Sequence, residues 1–444
     1  MTVSRTICLG FLAVITVGTL LLMLPMSTAS GEWNDWIVAL FTTTSAVCVT
    51  GHIVVDTATY FSPLGQFWIM TLIQVGGLGY MTSTTFLLLL LGRKFGLREK
   101  MAVQQALDRT KLQGGTQMVR SIIATTLLFE ITGIFLLLCV FVPKHGWQHS
   151  LWYATFHSVS AWNNAGFSLF SNNLVDYQFS PLLNLVIPGL IIFGGIGYEV
   201  IFEAYLWLRH RFSRKPERMI FSLNFRVATS TTLILLTLGT LAVFLIESRN
   251  PQTLKDFSLG NRLTVAWFQS VTARTAGFNT IDIGQMTNAG LFMIIALMFV
   301  GGSPGGTAGG VKTTTIRVLS SCTQAILQGK EDVVLYERQV PLSLLLKSIG
   351  VVVGSFLTVV MATTLMSLAD PEVEFIKILF EVVSAFGTVG LSTGITANLT
   401  AASKLVLVAT MYMGRVGVLL LMAAMLGDPR PSTVHYLEES LLVG

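Results

Sequence analysis

The chain alternates long apolar runs with short phrases of threonine, serine, alanine and glycine. Residues 7–25 (ICLGFLAVITVGTLLLMLP) and 121–143 (SIIATTLLFEITGIFLLLCVFVP) each hold about the 20 apolar residues that a helix needs to cross a bilayer. Each is predicted to be a membrane span. The apolar run of the first is too long for a cleaved leader. Between the long runs stand shorter apolar stretches such as residues 33–47 (WNDWIVALFTTTSAV), whose length predicts a re-entrant segment rather than a crossing.

The short stretches repeat. They end in FTTTSAVCVTG (41–51), FHSVSAWNNAG (156–166), FQSVTARTAG (268–277) and FEVVSAFGTVG (380–390). The leading Phe41, Phe156, Phe268 and Phe380 lie 115, 112 and 112 residues apart. A second glycine phrase follows 24 to 28 residues after each closing glycine: GGLG at 76–79, GGIG at 194–197, GGSPG at 301–305 and GRVG at 414–417. A lone glycine in such a sequence is explained by helix packing, but four in register require a repeated architecture.

The expected fold is therefore an all-α integral membrane protein. It has four tandem helix–pore loop–helix units, eight transmembrane helices in all, around a central pore. The units run over residues 1–92, 93–210, 211–328, where the second span is interrupted, and 329–444, which ends in a cytoplasmic tail. Non-helical backbone at membrane depth is tolerated only where it is buried in protein or lines a watery cavity, and four such loops about one axis would line a pore. Glycine opens backbone angles closed to other residues, so the loops could turn carbonyls toward a dehydrated cation. The candidate filter lining is Val49, Thr50 and Gly51; Asn164, Ala165 and Gly166; Thr275, Ala276 and Gly277; and Thr388, Val389 and Gly390.

Composition sharpens the class. Of 444 residues 52% are hydrophobic and 11% charged, and the mean hydropathy of +0.69 excludes an ordinary soluble domain. The net charge of +5 matters less than its placement and implies no nucleic-acid partner. Basic residues collect in two loops, at Arg93, Lys94, Arg98, Lys100, Arg109 and Lys111 and at Arg209, Arg211, Arg214, Lys215, Arg218 and Arg226, which places those loops and both termini in the cytoplasm. The opposite mouth carries Glu32, Asp35, Asp56, Asp176 and Asp282, a vestibule suited to cations. Cys8, Cys48, Cys139 and Cys322 are scattered and imply neither a disulfide framework nor a metal cluster.

On the four phrases, on TARTAGFNTID (272–282) and on GGSPGGTAGGVKTTT (301–315), the chain resembles the Trk/Ktr/HKT superfamily of potassium transporters over essentially its whole length. Within it the likeness is greatest to the KtrB-type subunits of bacterial Ktr systems. The resemblance implies K+ uptake stimulated by Na+, with K+ as substrate, Na+ as activator or co-ion and no covalent cofactor. It also implies a homodimer with one pore per subunit, a cytoplasmic nucleotide-binding ring of KtrA-type regulators, and a place in the bacterial inner membrane. In plant relatives a serine at the first filter glycine favours sodium, so Gly51 points to potassium. Two departures stand out: His52 follows Gly51 where an aliphatic residue is common, and Asn163 and Asn164 replace hydroxyl residues.

The third unit differs from the others. From residue 289 to 327 its second span is about twice the length that a bilayer requires, and its middle is dense in helix breakers. Gly301, Gly302, Ser303, Pro304, Gly305, Gly306, Thr307, Ala308, Gly309 and Gly310 are thus expected to form an irregular loop below the filter, a natural gate. Arg415 falls at the same depth and either latches the loop through its carbonyls or pairs with a glutamate. Lys312 is expected to snorkel toward the cytoplasm. Arg274, Glu381 and His157 are expected to brace the filter.

Gly301–Gly305 also matches a serine-nucleophile elbow at Ser303, but no histidine completes a triad, and GTAGGVKT lacks the glycine and the strand of a phosphate-binding loop. The chain is therefore expected not to be an enzyme. An intramembrane serine hydrolase is the remote alternative. An alternating-access cation symporter is the other, although that class predicts inverted repeats and these four run in one sense.

Overall fold

The computed structural model describes residues 3–79, 115–212 and 220–427, and the structure there is mainly helical. The basic stretch from Arg93 to Lys111, residues Arg214, Lys215 and Arg218, and the C-terminal tail lie outside the described residues.

Each repeat begins with a long helix. These are α1 (Val3–Met23), α5 (Gly115–Trp162), α8 (Leu223–Glu247) and α12 (Leu342–Ala369), and among the described residues they alone are long and apolar enough to cross a membrane as single helices. Helix α5 is really two limbs, because Gly146 takes the non-helical angles φ 71° and ψ 168° and separates the span from the limb that ends at Trp162. That second limb is the counterpart of α2 (Trp36–Val47), α9 (Leu259–Thr272) and α13 (Phe375–Phe386), the short helices that carry the repeated phrase. Their phenylalanines Phe41, Phe156, Phe268 and Phe380 are fully buried, which fixes the same face of each short helix inward.

A second helix completes each unit: α4 (Pro63–Leu78), α6 (Pro181–Ile196), α10 (Asn288–Phe299) and α14 (Ala401–Val416). All four start in the same way. Ser62, Ser180, Thr287 and Thr400 each accept a hydrogen bond from a backbone N–H of the first turn, a cap worth about 1 kcal/mol. Their ends show where the second spans depart from straight helices. Gly79, Gly197 and Gly417 adopt φ of 78°, 99° and 89°, a left-handed conformation that stops a helix. Beyond Gly197 the chain turns by 104° into α7 (Tyr198–Phe212), and beyond Gly417 by 93° into α15 (Val418–Leu426). The sequence signals an interruption only in the third unit, whereas the structure breaks the second and fourth as well. The glycine phrase is the cause in each case.

In the third unit α10 ends at Phe299 and α11 (Thr313–Leu327) begins after thirteen intervening residues. A two-stranded hairpin, β1 (Val334–Leu335) and β2 (Arg338–Gln339), then leads into α12.

The second helix of every unit packs on the next unit's short helix: α4 on α5, α6 on α9, α10 on α13 and finally α14 on α2. The fourth unit thus returns to the first. The arrangement is cyclic.

Candidate functional site: a ring of four loops above a buried loop

At the end of each short helix the backbone does the same unusual thing. Val49, Asn164, Thr275 and Thr388 have φ between 49° and 64°, and two residues later Gly51, Gly166, Gly277 and Gly390 have φ between 69° and 94°. Three of the four non-glycine residues are β-branched, for which a positive φ is strongly disfavoured. Such strain persists only where the surroundings over-determine it.

The surroundings are a repeated set of hydrogen bonds. The backbone N–H groups of Thr50, Ala165, Ala276 and Val389 donate to the carbonyls of Ser45, Ser160, Thr272 and Ser384 at 2.8, 2.8, 3.0 and 2.8 Å. The hydroxyls of Ser160, Thr272 and Ser384 then donate to the carbonyls of Phe167, Phe278 and Leu391, the residues just past the glycines, at 2.8, 2.5 and 2.7 Å. The first unit departs from this: Ser45 Oγ accepts from the N–H of Gly51 at 3.1 Å.

The four loops meet. A Cβ on Gly51 would strike the carbonyl of Ala165, one on Gly166 that of Ala276, one on Gly277 that of Val389, and one on Gly390 that of Thr50. Each glycine is thus pressed against the carbonyl of the next unit, and the fourth contact returns to the first loop. Glycine is required at all four positions both by φ and by space.

Beneath the ring lies the loop between α10 and α11. Its base is held together where Gly301 N–H donates to Val311 at 2.9 Å and Thr313 N–H to Gly302 at 3.0 Å. Ser303 and Thr307 donate their N–H groups to Gly195 and Gly194 of the second unit at 2.9 and 3.1 Å, and Tyr198 N–H donates to Gly305 at 3.2 Å. Thr307 Oγ1 stands 3.3 Å from both the Trp162 carbonyl and Asn164 Oδ1. Toward the fourth unit, a Cβ on Gly309 would meet the side chain of Thr388. Arg274 donates to the Gly301 carbonyl at 3.1 Å. The guanidinium of Arg415 donates to the carbonyls of Thr307 and Gly76, and to that of Gly77 at 3.3 Å.

A TrkH family model, described as cation transport protein, matches residues 5–435. The chain belongs to the TrkH cation transport family. It is 39% identical over 416 residues to the "Ktr system potassium uptake protein B" of Bacillus subtilis, with 94% of this chain and 91% of that protein covered. It is 37% identical over 445 residues to the "Potassium/sodium uptake protein NtpJ" of Enterococcus hirae, covering 99% and 97%. The crystal structure of the potassium transporter TrkH from Vibrio parahaemolyticus superposes with a TM-score of 0.72 at 17% identity, covering 95% of this chain and 84% of that one. This TrkH-family chain is a multi-pass membrane transport protein and not an enzyme. Ser303, the residue of the hydrolase alternative, has its hydroxyl 2.9 Å from Thr313 Oγ1.

Within this TrkH-family protein Arg415 takes the carbonyl alternative of the two expected for it, binding carbonyls of two units and not a glutamate. Other predicted residues differ from expectation. Lys312 turns back onto the loop, with Nζ donating to the Ala308 carbonyl at 2.7 Å, instead of snorkelling away from it. Arg274 braces the base of the buried loop more than the ring itself. Asp35, Asp56 and Asp282, read as vestibule charges, also cap helical turns by accepting backbone N–H groups.

Sequence reasoning missed a further repeat. In the second, third and fourth units the residue after the leading phenylalanine meets the residue eleven further on: His157 Nε2 stands 3.0 Å from Ser168 Oγ, Gln269 Nε2 donates to Thr280 Oγ1 at 3.2 Å, and Ser392 Oγ donates to Glu381 at 2.6 Å. The constant spacing of eleven was the available signal. Glu130 accepts from Asn163 Nδ2 at 3.3 Å, and the same amide donates to Gln74 Oε1 at 2.8 Å.

Proposed function

We propose that this chain is the potassium-translocating membrane subunit of a K+ uptake system. The observation that carries the reading is the closed ring in which Gly51, Gly166, Gly277 and Gly390 each meet the next unit's carbonyl. Left-handed residues alternating with ordinary ones let successive carbonyls face one side of a strand, and rings of carbonyls replace the water that K+ sheds. The filter is then Val49, Thr50 and Gly51 with their counterparts Asn164 to Gly166, Thr275 to Gly277 and Thr388 to Gly390. The four units 1–92, 93–210, 211–328 and 329–444 surround one pore, each counting as two spans, the second of them bent in the second and fourth units and interrupted in the third.

The loop from Gly301 to Gly310 is the gate. It is short of helical hydrogen bonds, lies under the ring and is held shut from both sides, by Gly194 and Gly195 on one and Arg415 on the other. Lys312 contributes by tying its own loop at Ala308. Opening moves the loop aside, which a partner achieves by binding the open state more tightly than the closed one. The names of the relatives, Ktr system uptake proteins and a potassium/sodium uptake protein, support K+ as substrate, Na+ as activator or co-ion, and a separate regulatory subunit of the KtrA type on the cytoplasmic face. The same likeness supports a homodimer in the bacterial inner membrane with both termini cytoplasmic.

The test is growth of cells that lack their own K+ uptake, at limiting K+, with and without this chain and a KtrA-type partner. Rescue that is lost in Gly166→Ser and Gly277→Ser supports the reading. Lack of rescue by a chain shown to be inserted in the membrane would sink it.

A further inference from the structure

The first unit lacks both of the polar braces that hold the other three loops. At the position after the leading phenylalanine it has Thr42, whose hydroxyl finds no partner among the described residues, and eleven residues on stands Ile53, which has no hydroxyl to offer. Ser45 accepts from Gly51 instead of donating beyond it. In the other units the residue after the ring glycine is apolar, namely Phe167, Phe278 and Leu391, and here it is His52.

His52 is fully buried, and its Nδ1 lies 3.2 Å from Oε2 of the equally buried Glu381 of the fourth unit. Neither ring nitrogen has a hydrogen-bond partner among the described residues, so the contact with Glu381 is one of close approach between buried polar groups. Glu381 is itself anchored. It accepts from Ser392 Oγ at 2.6 Å, from Thr393 N–H at 2.9 Å and from Thr396 Oγ1 at 2.9 Å. Thus the carboxylate that braces the fourth loop in the repeated manner also faces the residue after Gly51. This is the seam at which the ring closes, since a Cβ on Gly390 would lie 2.8 Å from the Cα of Gly51.

We propose that His52 and Glu381 form a positioning pair that sets the first loop against the fourth and thereby determines ion selectivity at this seam. The inference rests on the proposal that the ring is the filter. A buried polar pair is costly unless its members meet, so it specifies one arrangement of the two loops more sharply than an apolar contact would. In the other units the hydroxyl brace inside the unit supplies this constraint. Here it comes from the neighbouring unit.

The experiment measures K+ and Na+ uptake for the full chain in His52→Phe, His52→Gln and Glu381→Gln. Phenylalanine occupies this place in two other units, so His52→Phe keeps an apolar ring of similar size and removes only the polar partner. It is expected to lower the K+/Na+ uptake ratio by about threefold or more at normal membrane level, while His52→Gln, which can still donate to the carboxylate, retains the ratio. The pair also predicts coupling, so His52→Phe combined with Glu381→Gln should lose less than the two single losses together. If His52→Phe keeps the wild-type ratio, or if the two changes simply add, the pair is packing alone and the inference is wrong. If the wild type itself shows no preference for K+, the filter reading fails instead.

Discussion

Arg415 is joined to Thr307 across 108 residues by a hydrogen bond from its guanidinium to the Thr307 carbonyl, and the same side chain reaches the carbonyls of Gly76 and Gly77. One half-buried cation therefore spans the fourth unit, the loop of the third and the end of the second helix of the first. A charge held in this way is stable only while its carbonyl partners stay in place. If the loop is the gate, this contact marks its closed state.

Replacing Arg415 by alanine should raise basal K+ flux and weaken its dependence on a cytoplasmic partner, by severalfold if the contact contributes about 1–2 kcal/mol to the closed state. Arg415→Lys should fall between, because an ammonium cannot serve three carbonyls with the geometry of a guanidinium. Rubidium uptake into vesicles containing the purified protein, with and without its partner, measures both. An unchanged or reduced flux in a folded Arg415→Ala protein would show that Arg415 does not latch the loop.

Gly51→Ser should lower the preference for K+ over Na+. The side chain would meet the Ala165 carbonyl, and a serine at φ 94° is strained whatever the space. Competition of Na+ with rubidium uptake checks this. An unaltered ratio would remove Gly51 from the filter.

Ser384→Ala tests the repeated brace. The change removes the 2.7 Å bond to Leu391 O and leaves that buried carbonyl one donor short, at a cost of about 1–3 kcal/mol to the loop. Thermal stability of the purified protein should fall, and K+ should protect it less than it protects the wild type. Equal protection by K+ in both would mean that the loop does not need the hydroxyl.

Much of the site can be read from the sequence because it is repeated. The phrase beginning at Phe41, Phe156, Phe268 and Phe380 identifies the short helices and the ring glycines without any structure. What cannot be read is whatever joins one unit to another. Nothing local says that Gly390 will face Thr50 or that Glu381 will face His52, because these contacts are made by cyclic closure. Local propensity argues against a left-handed Val49, Thr275 or Thr388, and tertiary hydrogen bonds override it. The bends at Gly197 and Gly417 were hidden for a different reason: the apolar sequence continues past the glycine, and hydropathy alone does not register a change of direction.

Deleting residues 305–310 should raise K+ flux and make it nearly independent of the partner. The loop is anchored at its base, where Gly301 N–H meets Val311 and Gly302 accepts from Thr313, and all four of these residues remain after the excision. The excised residues make the contacts to Arg415 and Tyr198 and that of Thr307 to Gly194, which on the proposed reading hold the loop across the path, and they are not ring residues. Flux should then rise while the K+/Na+ ratio stays near the wild-type value, because the ring glycines keep their neighbours in the four units. A rise in flux with loss of the ratio would mean that the loop supports the ring from below as well as blocking it. Loss of flux in a protein that is folded and inserted would show that the loop is part of the conducting path, and the gate would have to lie elsewhere.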